Sequence, residues 1–130
     1  METEGFFTKW KKMKQSLPSV KESYVFSRAY RKGKSVVLPA MVLYLLPRKK
    51  TSAFSYGITV SKKLGNSPER NRAKRLIREA LRLIAKENPQ ILKTPASLIV
   101  VTRKPLYEKS SKMQTAKDEL MRGLTELNVL

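Results

Sequence analysis

Two neighbouring runs hold the residue types best placed to do chemistry. Ser61-Lys62-Lys63-Leu64-Gly65-Asn66 combines two ammonium groups with a glycine turn, and Arg70, Asn71, Arg72, Lys74, Arg75, Arg78 and Arg82 follow soon after. Cations beside exposed backbone N–H groups and the start of a helix bind phosphate oxygens. The spacing is not that of a nucleotide P-loop, because no Gly-Lys-Ser/Thr closes the turn. Hydrolytic chemistry by the chain itself is poorly supplied. There is no cysteine, so thiolate nucleophiles and thiolate metal sites are excluded, and no histidine, which removes the usual general base near neutral pH. The one adjacent acid pair, Asp118-Glu119, lies in a mixed-charge segment outside the basic region, whereas two-metal hydrolysis needs clustered carboxylates.

The charge balance points the same way. Twenty-eight Lys and Arg face ten Asp and Glu, a formal net charge of +18 over 130 residues. Solubility alone asks for a net charge of only about 2–8 in a small domain, and a field of this sign gathers polyanions. The cations are also segregated. Between Glu22 and Glu69 there is no carboxylate but there are nine Lys or Arg, and from Ser61 to Lys86 only Glu69 and Glu79 oppose the basic residues.

These residues need elements to position them. Ser67-Pro68 reads as a cap followed by proline in the first helical position, opening a helix to about Lys86 that Asn88-Pro89 ends. At about 100° per residue, Asn71, Lys74, Arg75, Arg78 and Arg82 fall in one arc, with Ala73, Leu76, Ile77, Ala80 and Ile84 opposite. The helix is therefore expected to be pinned by its apolar face and to present a cationic ridge. The alternative is an ordinary solvated basic face, although few (i, i+4) carboxylates are present to relieve it. A first helix is expected from Ser23 to Gly33, strands at about 36–46 (interrupted by Pro39), 53–60 and 96–102, and a last helix at about 112–127. In strand 53–60, Phe54, Tyr56, Ile58 and Val60 alternate with Ala53, Ser55, Gly57 and Thr59, leaving one face small enough for a ligand to approach. Phe26 and Tyr30 lie (i, i+4) beside a Val25/Ala29 stripe that suits the core. They are either core residues themselves or aromatic platforms for unpaired bases.

At this length, with 41% hydrophobic residues, one domain with a real core is expected. The order α-β-β-β-α-β-α argues for a single-domain α+β two-layer sandwich over 21–130, preceded by a partly ordered basic and aromatic arm, 1–20. No apolar run approaches the ~20 residues of a membrane span, and the acidic start leads into no signal-like segment, so the expected location is cytoplasmic.

The stretch Tyr56-Gly57-Ile58-Thr59-Val60-Ser61-Lys62-Lys63-Leu64-Gly65-Asn66, followed by Arg70-Asn71-Arg72-Ala73-Lys74-Arg75-Leu76-Ile77-Arg78-Glu79, resembles the bacterial ribonuclease P protein component. Phe26, Tyr30, Gly33 and Ser35 resemble that family's first helix and turn, and Leu98 to Pro105 its last strand, so the likeness covers about 20–127. The resemblance implies a left-handed β-α-β crossover, against the general statistics of such connections. It implies binding of the catalytic RNA subunit by Lys62, Lys63, Arg70, Asn71, Arg72, Lys74, Arg75, Arg78 and Arg82. It also implies a cleft for the single-stranded 5′ leader of precursor tRNA at Phe26, Tyr30, Tyr44, Thr59 and Lys63. No catalytic residue, protein-bound metal, membrane or small-molecule substrate is implied; magnesium would serve the RNA subunit. The chain departs from the family in being less basic just before the first helix, at Ser16 to Val20.

Composition alone equally permits a ribosomal RNA-binding protein. A helix-turn-helix DNA module is disfavoured, since a strand and not a helix precedes the basic helix. A membrane-surface role would rest on Phe6, Phe7 and Trp10.

Overall fold

Alternation along two central strands explains how the chain buries both faces of one sheet. The computed structural model describes residues 19–20, 23–50 and 53–130. The expected arm therefore lies, apart from Ser19 and Val20, outside the described residues, as do Phe6, Phe7 and Trp10. The elements are α1 (Ser23–Lys32), β1 (Lys34–Val37), β2 (Met41–Pro47), β3 (Ser55–Thr59), α2 (Ser67–Glu87), a 3-10 turn (Pro89–Lys93), β4 (Ala96–Thr102), a short α3 (Lys104–Tyr107) and α4 (Met113–Glu126). The segment expected as one interrupted strand is a hairpin, β1 and β2. Pro39 sits in its turn, and the Leu38 amide donates to the Met41 carbonyl at 2.8 Å.

The sheet order is β1-β2-β4-β3. β1, β2 and β4 pair antiparallel, while β3 lies parallel to β4 with α2 crossing between them. In β2 and β4, Met41, Leu43, Leu45, Leu98 and Val100 face the main core with Ala73, Leu76, Ile77, Ala80, Leu81 and Ile84 of α2 and Leu120 and Leu124 of α4. The residues between them point the other way. There Leu46 and Ile99 meet Val25 and Ala29 of α1, with Phe26, Tyr44 and Val101 packed around. The α+β class, the element order and every predicted apolar position of α2 agree with this arrangement. To the layer of α2 and α4 the structure adds α1, lying across the opposite face and covering only part of it.

Two local details differ from expectation. The cap of α2 is Asn66: its side chain accepts from the Glu69 amide at 3.0 Å while Glu69 Oε1 accepts from the Asn66 amide at 2.8 Å, a reciprocal capping box. Pro68 consequently sits one position further into the helix. At the end of α1, Gly33 is required by crowding and not by a left-handed backbone: a Cβ there would lie 2.5 Å from the Ala29 carbonyl oxygen and 2.9 Å from that of Leu45.

Candidate nucleic-acid interface

The uncovered part of the sheet beside α1 holds the aromatic residues singled out above. Val25 and Ala29 are fully buried and fix the helix, so Phe26 and Tyr30, one position on, project along its flank. Phe26 is half-buried over Gly57, where a Cβ would come within 2.6 Å of Phe26 Cζ. The small face of β3 is thus what lets the ring lie against the sheet. Tyr30 is 42% exposed. Its ring meets Tyr44 edge-on, centroids 5.0 Å apart and planes at 78°. Its hydroxyl shares a hydrogen bond with Thr59 Oγ1 at 3.1 Å. Phe26, Tyr30, Tyr44 and Thr59, from three elements, therefore form one surface. The cleft is neither a closed core nor a deep cavity, and an exposed aromatic beside polar groups can take a base face-on.

The basic helix reaches the same place. A groove of about 310 Å³ is lined by Phe26 and Gly57 on one side and by Lys74 and Arg78 of α2 on the other, with Val20 at its rim. Val20 is fixed there by its amide, which donates to the Tyr56 carbonyl at 2.7 Å along the β3 edge. The residues expected to bind the RNA subunit and those expected to bind a leader are thus joined through Lys74 and Arg78. Asn71, Arg75 and Arg78 are exposed and Lys74 half-exposed, and none of Lys74, Arg75 and Arg78 pairs with a carboxylate among the described residues. Arg82, half-buried further along, is engaged in the structure.

The loop from Ser61 to Asn66 works differently from the expected backbone phosphate cradle. The Ser61 amide donates to the Tyr107 hydroxyl (2.8 Å), that of Lys63 to Ser61 Oγ (3.2 Å), that of Leu64 to the Ser61 carbonyl (3.1 Å) and that of Asn66 to Glu69. The helix N-terminus is occupied by the Glu69 carboxylate, which is the wrong charge for sharing with phosphate. What the loop offers an anion is the pair of exposed side chains Lys62 and Lys63. Tyr107, which sequence reasoning missed, holds the loop in place: its buried hydroxyl also bonds Thr102 Oγ1 (2.6 Å), which in turn donates to the Thr59 carbonyl (2.8 Å). Its position on a four-residue helix after Pro105 gave no periodic signal.

Arg70 and Arg72 do not project with the ridge. Arg70 donates to the Gly65 carbonyl (2.9 Å) and Ser67 Oγ (3.0 Å), bracing the turn. Arg72 donates to the Glu108 carbonyl (2.8 Å), Ser111 Oγ (2.6 Å), the Lys109 carbonyl (3.2 Å) and the Ser111 carbonyl. It clamps the α3–α4 loop onto α2, with a planar fork that lysine cannot imitate. Arg72→Ala is expected to cost about 1–3 kcal/mol of stability and to lower the melting temperature by several degrees, with Arg72→Lys restoring little. Normal melting of Arg72→Ala combined with lost RNA binding would place this guanidinium on the RNA instead.

The acid pair is likewise in structural use. Glu119 accepts from the Ala40 amide at 2.9 Å, and Asp118 accepts from Gln114 at 2.9 Å. Among the described residues no group of three or more His, Cys, Asp or Glu is placed to hold a metal ion. No helix among them is long and apolar enough to cross a membrane.

Comparison with known proteins bears on what this surface is. The family model for ribonuclease P matches residues 15–128. The ribonuclease P protein component of Staphylococcus carnosus is 42% identical over 86 residues, 66% of this chain and 70% of that one. The solved structure of the Staphylococcus aureus RNase P protein superposes with a TM-score of 0.71 at 33% identity, covering 85% of this chain and 95% of the other. The RNase P protein from Thermotoga maritima, at 23% identity and a TM-score of 0.66 over 80% of this chain and 92% of its own, shares the fold. With its aromatic cleft, its basic helix and these relatives in agreement, the chain belongs to the ribonuclease P protein family.

Proposed function

We propose that this chain is the protein subunit of a ribonuclease P ribonucleoprotein. In this role it binds the catalytic RNA through the exposed cations of α2 and the Lys62-Lys63 loop. It holds the unpaired 5′ leader of precursor tRNA across Phe26, Tyr30, Tyr44 and Thr59, with Lys63 near the end of that path. Catalysis and the magnesium it uses belong to the RNA. The protein distinguishes precursor from mature tRNA and screens the repulsion between RNA strands, so substrate and magnesium bind better. One observation carries this reading: the groove shared by Phe26, Gly57, Lys74 and Arg78. It puts a stacking surface and phosphate-binding cations within one strand's reach. A scaffold for folded RNA needs the cations but has no use for the exposed tyrosine.

Binding of RNA should weaken steeply with salt. Neutralising about six phosphates predicts a slope of log K against log[salt] of about −4 to −5, the shallower value applying to unpaired strands. A slope of about −1 would mean that only one phosphate is met and that the ridge does not face nucleic acid.

A further inference from the structure

The opposite flank of α1 carries a second basic groove. Helical geometry sends Phe26 and Tyr30 to one side of the buried Val25/Ala29 stripe and Tyr24 and Arg28 to the other, with Lys32 following in the last turn. There α1, Leu46 at the end of β2, and the residues just after it enclose about 590 Å³. Its cations are Arg28, Lys32, Arg48 and Lys49, and among the described residues no carboxylate lines it. Arg48 is half-buried and held from behind, Nη1 donating to Ser97 Oγ at 3.1 Å, and Ser97 Oγ lies 2.8 Å from Ser55 Oγ. Tyr24 is 55% exposed, more than Tyr30 in the cleft. None of these five residues has a part in the surface already described.

Four cations with no counter-charge among the described residues around one groove repel one another, and a polyanion removes that cost. The groove is far too narrow for a duplex but has room for a nucleotide or two of unpaired strand, with a phosphate on the cations and a base on Tyr24. α1 is a single helix, about 10–12 Å across with its side chains, and Arg31 and Ser27 on its back are exposed. A strand leaving the aromatic cleft can cross that back within a few nucleotides. We propose that this groove is a second subsite for the same unpaired RNA strand, holding leader nucleotides upstream of those in the aromatic cleft. The proposal rests on the leader-binding role above and extends it to a length preference: long leaders engage both flanks of α1, short ones only the first.

The test uses the holoenzyme reconstituted with a bacterial ribonuclease P RNA and precursor tRNAs carrying a short or a long leader. Wild-type protein should bind the long-leader substrate about 10-fold more tightly at low salt, and with a salt slope steeper by about 1.4 for two further phosphates. Arg28→Gln with Lys49→Gln should erase both differences and leave short-leader affinity unchanged, as should Tyr24→Ala in part. Arg28→Lys with Lys49→Arg should keep them. Both residues are exposed, and melting curves of each variant confirm that folding is intact. A long-leader advantage that survives the double Gln variant would overturn the proposal. So would loss of RNA-subunit affinity with the leader advantage intact, which would assign the groove to the catalytic RNA. A wild-type holoenzyme that binds short-leader precursor no better than mature tRNA would instead overturn the aromatic cleft itself.

Discussion

Truncating Tyr30 to alanine should reduce the preference of the reconstituted ribonucleoprotein for precursor over mature tRNA by about 5- to 150-fold, the equivalent of one lost base stack of roughly 1–3 kcal/mol. The ring is 42% exposed, touches Tyr44 by its edge, and keeps its hydroxyl on Thr59. Its removal leaves no sealed cavity, so melting should change little. Tyr30→Phe loses only an exposed hydrogen bond and should retain most of the preference. Phe26→Ala should lower the preference as well, but with a measurable drop in stability, because this ring is half-buried against Gly57. Neither single substitution should prevent assembly with the RNA subunit. Variants that melt normally and still favour precursor by the wild-type factor would show that no leader lies here.

The second large effect belongs to the ridge. Lys74→Ala, Arg75→Ala and Arg78→Ala combined should make the salt slope of RNA binding shallower by about 2–3 and reduce affinity by roughly 100-fold at moderate salt. These three side chains have no carboxylate partner among the described residues, so folding should survive their loss and melting should stay near wild type. Lys74 and Arg78 also line the groove beside Phe26. The triple variant should therefore lose some precursor preference in addition to assembly, whereas Arg75→Ala alone should affect assembly only. An unchanged slope would show that the ridge faces solvent in the complex.

Much of this was legible in the sequence because it is local. The apolar stripe of α2 and the Val25/Ala29 stripe are periodic patterns, and burial follows them closely; in 53–60 the alternation places the side chains, but Gly57 is buried beneath Phe26 while Tyr56 and Ile58 are only half-buried. The cleft needed more than periodicity. Nothing within Phe26 to Tyr30 says what lies beneath each ring: the likeness to a family groups them with Tyr44 and Thr59, but only the structure places Gly57 under Phe26. Where reading failed, the partner was distant or the choice degenerate. Asn66 and Ser67 are both good caps with proline tolerated after either, but only Asn66 has a glutamate three residues on, and that capping-box spacing outweighs the Ser-Pro pair. Arg72 looks like any other cation of a basic run, yet its acceptors lie 36 to 39 residues further along the chain. Of the loop amides that looked available for phosphate, that of Ser61 is taken by Tyr107, those of Lys63 and Leu64 by Ser61, and that of Asn66 by Glu69; Tyr107, 46 residues away, is the partner no spacing rule reaches.

In the proposed role the protein supplies binding and the RNA supplies chemistry. The most direct measurement is precursor tRNA cleavage by nuclease-treated protein alone, by a bacterial ribonuclease P RNA alone, and by the two together, at low magnesium and moderate salt. The expected result is no cleavage by the protein at any magnesium concentration, weak cleavage by the RNA alone, and a large gain on combining them, with the 5′ leader released intact. Cleavage by the RNA-free protein, or an RNA whose activity the protein leaves unchanged, would contradict it.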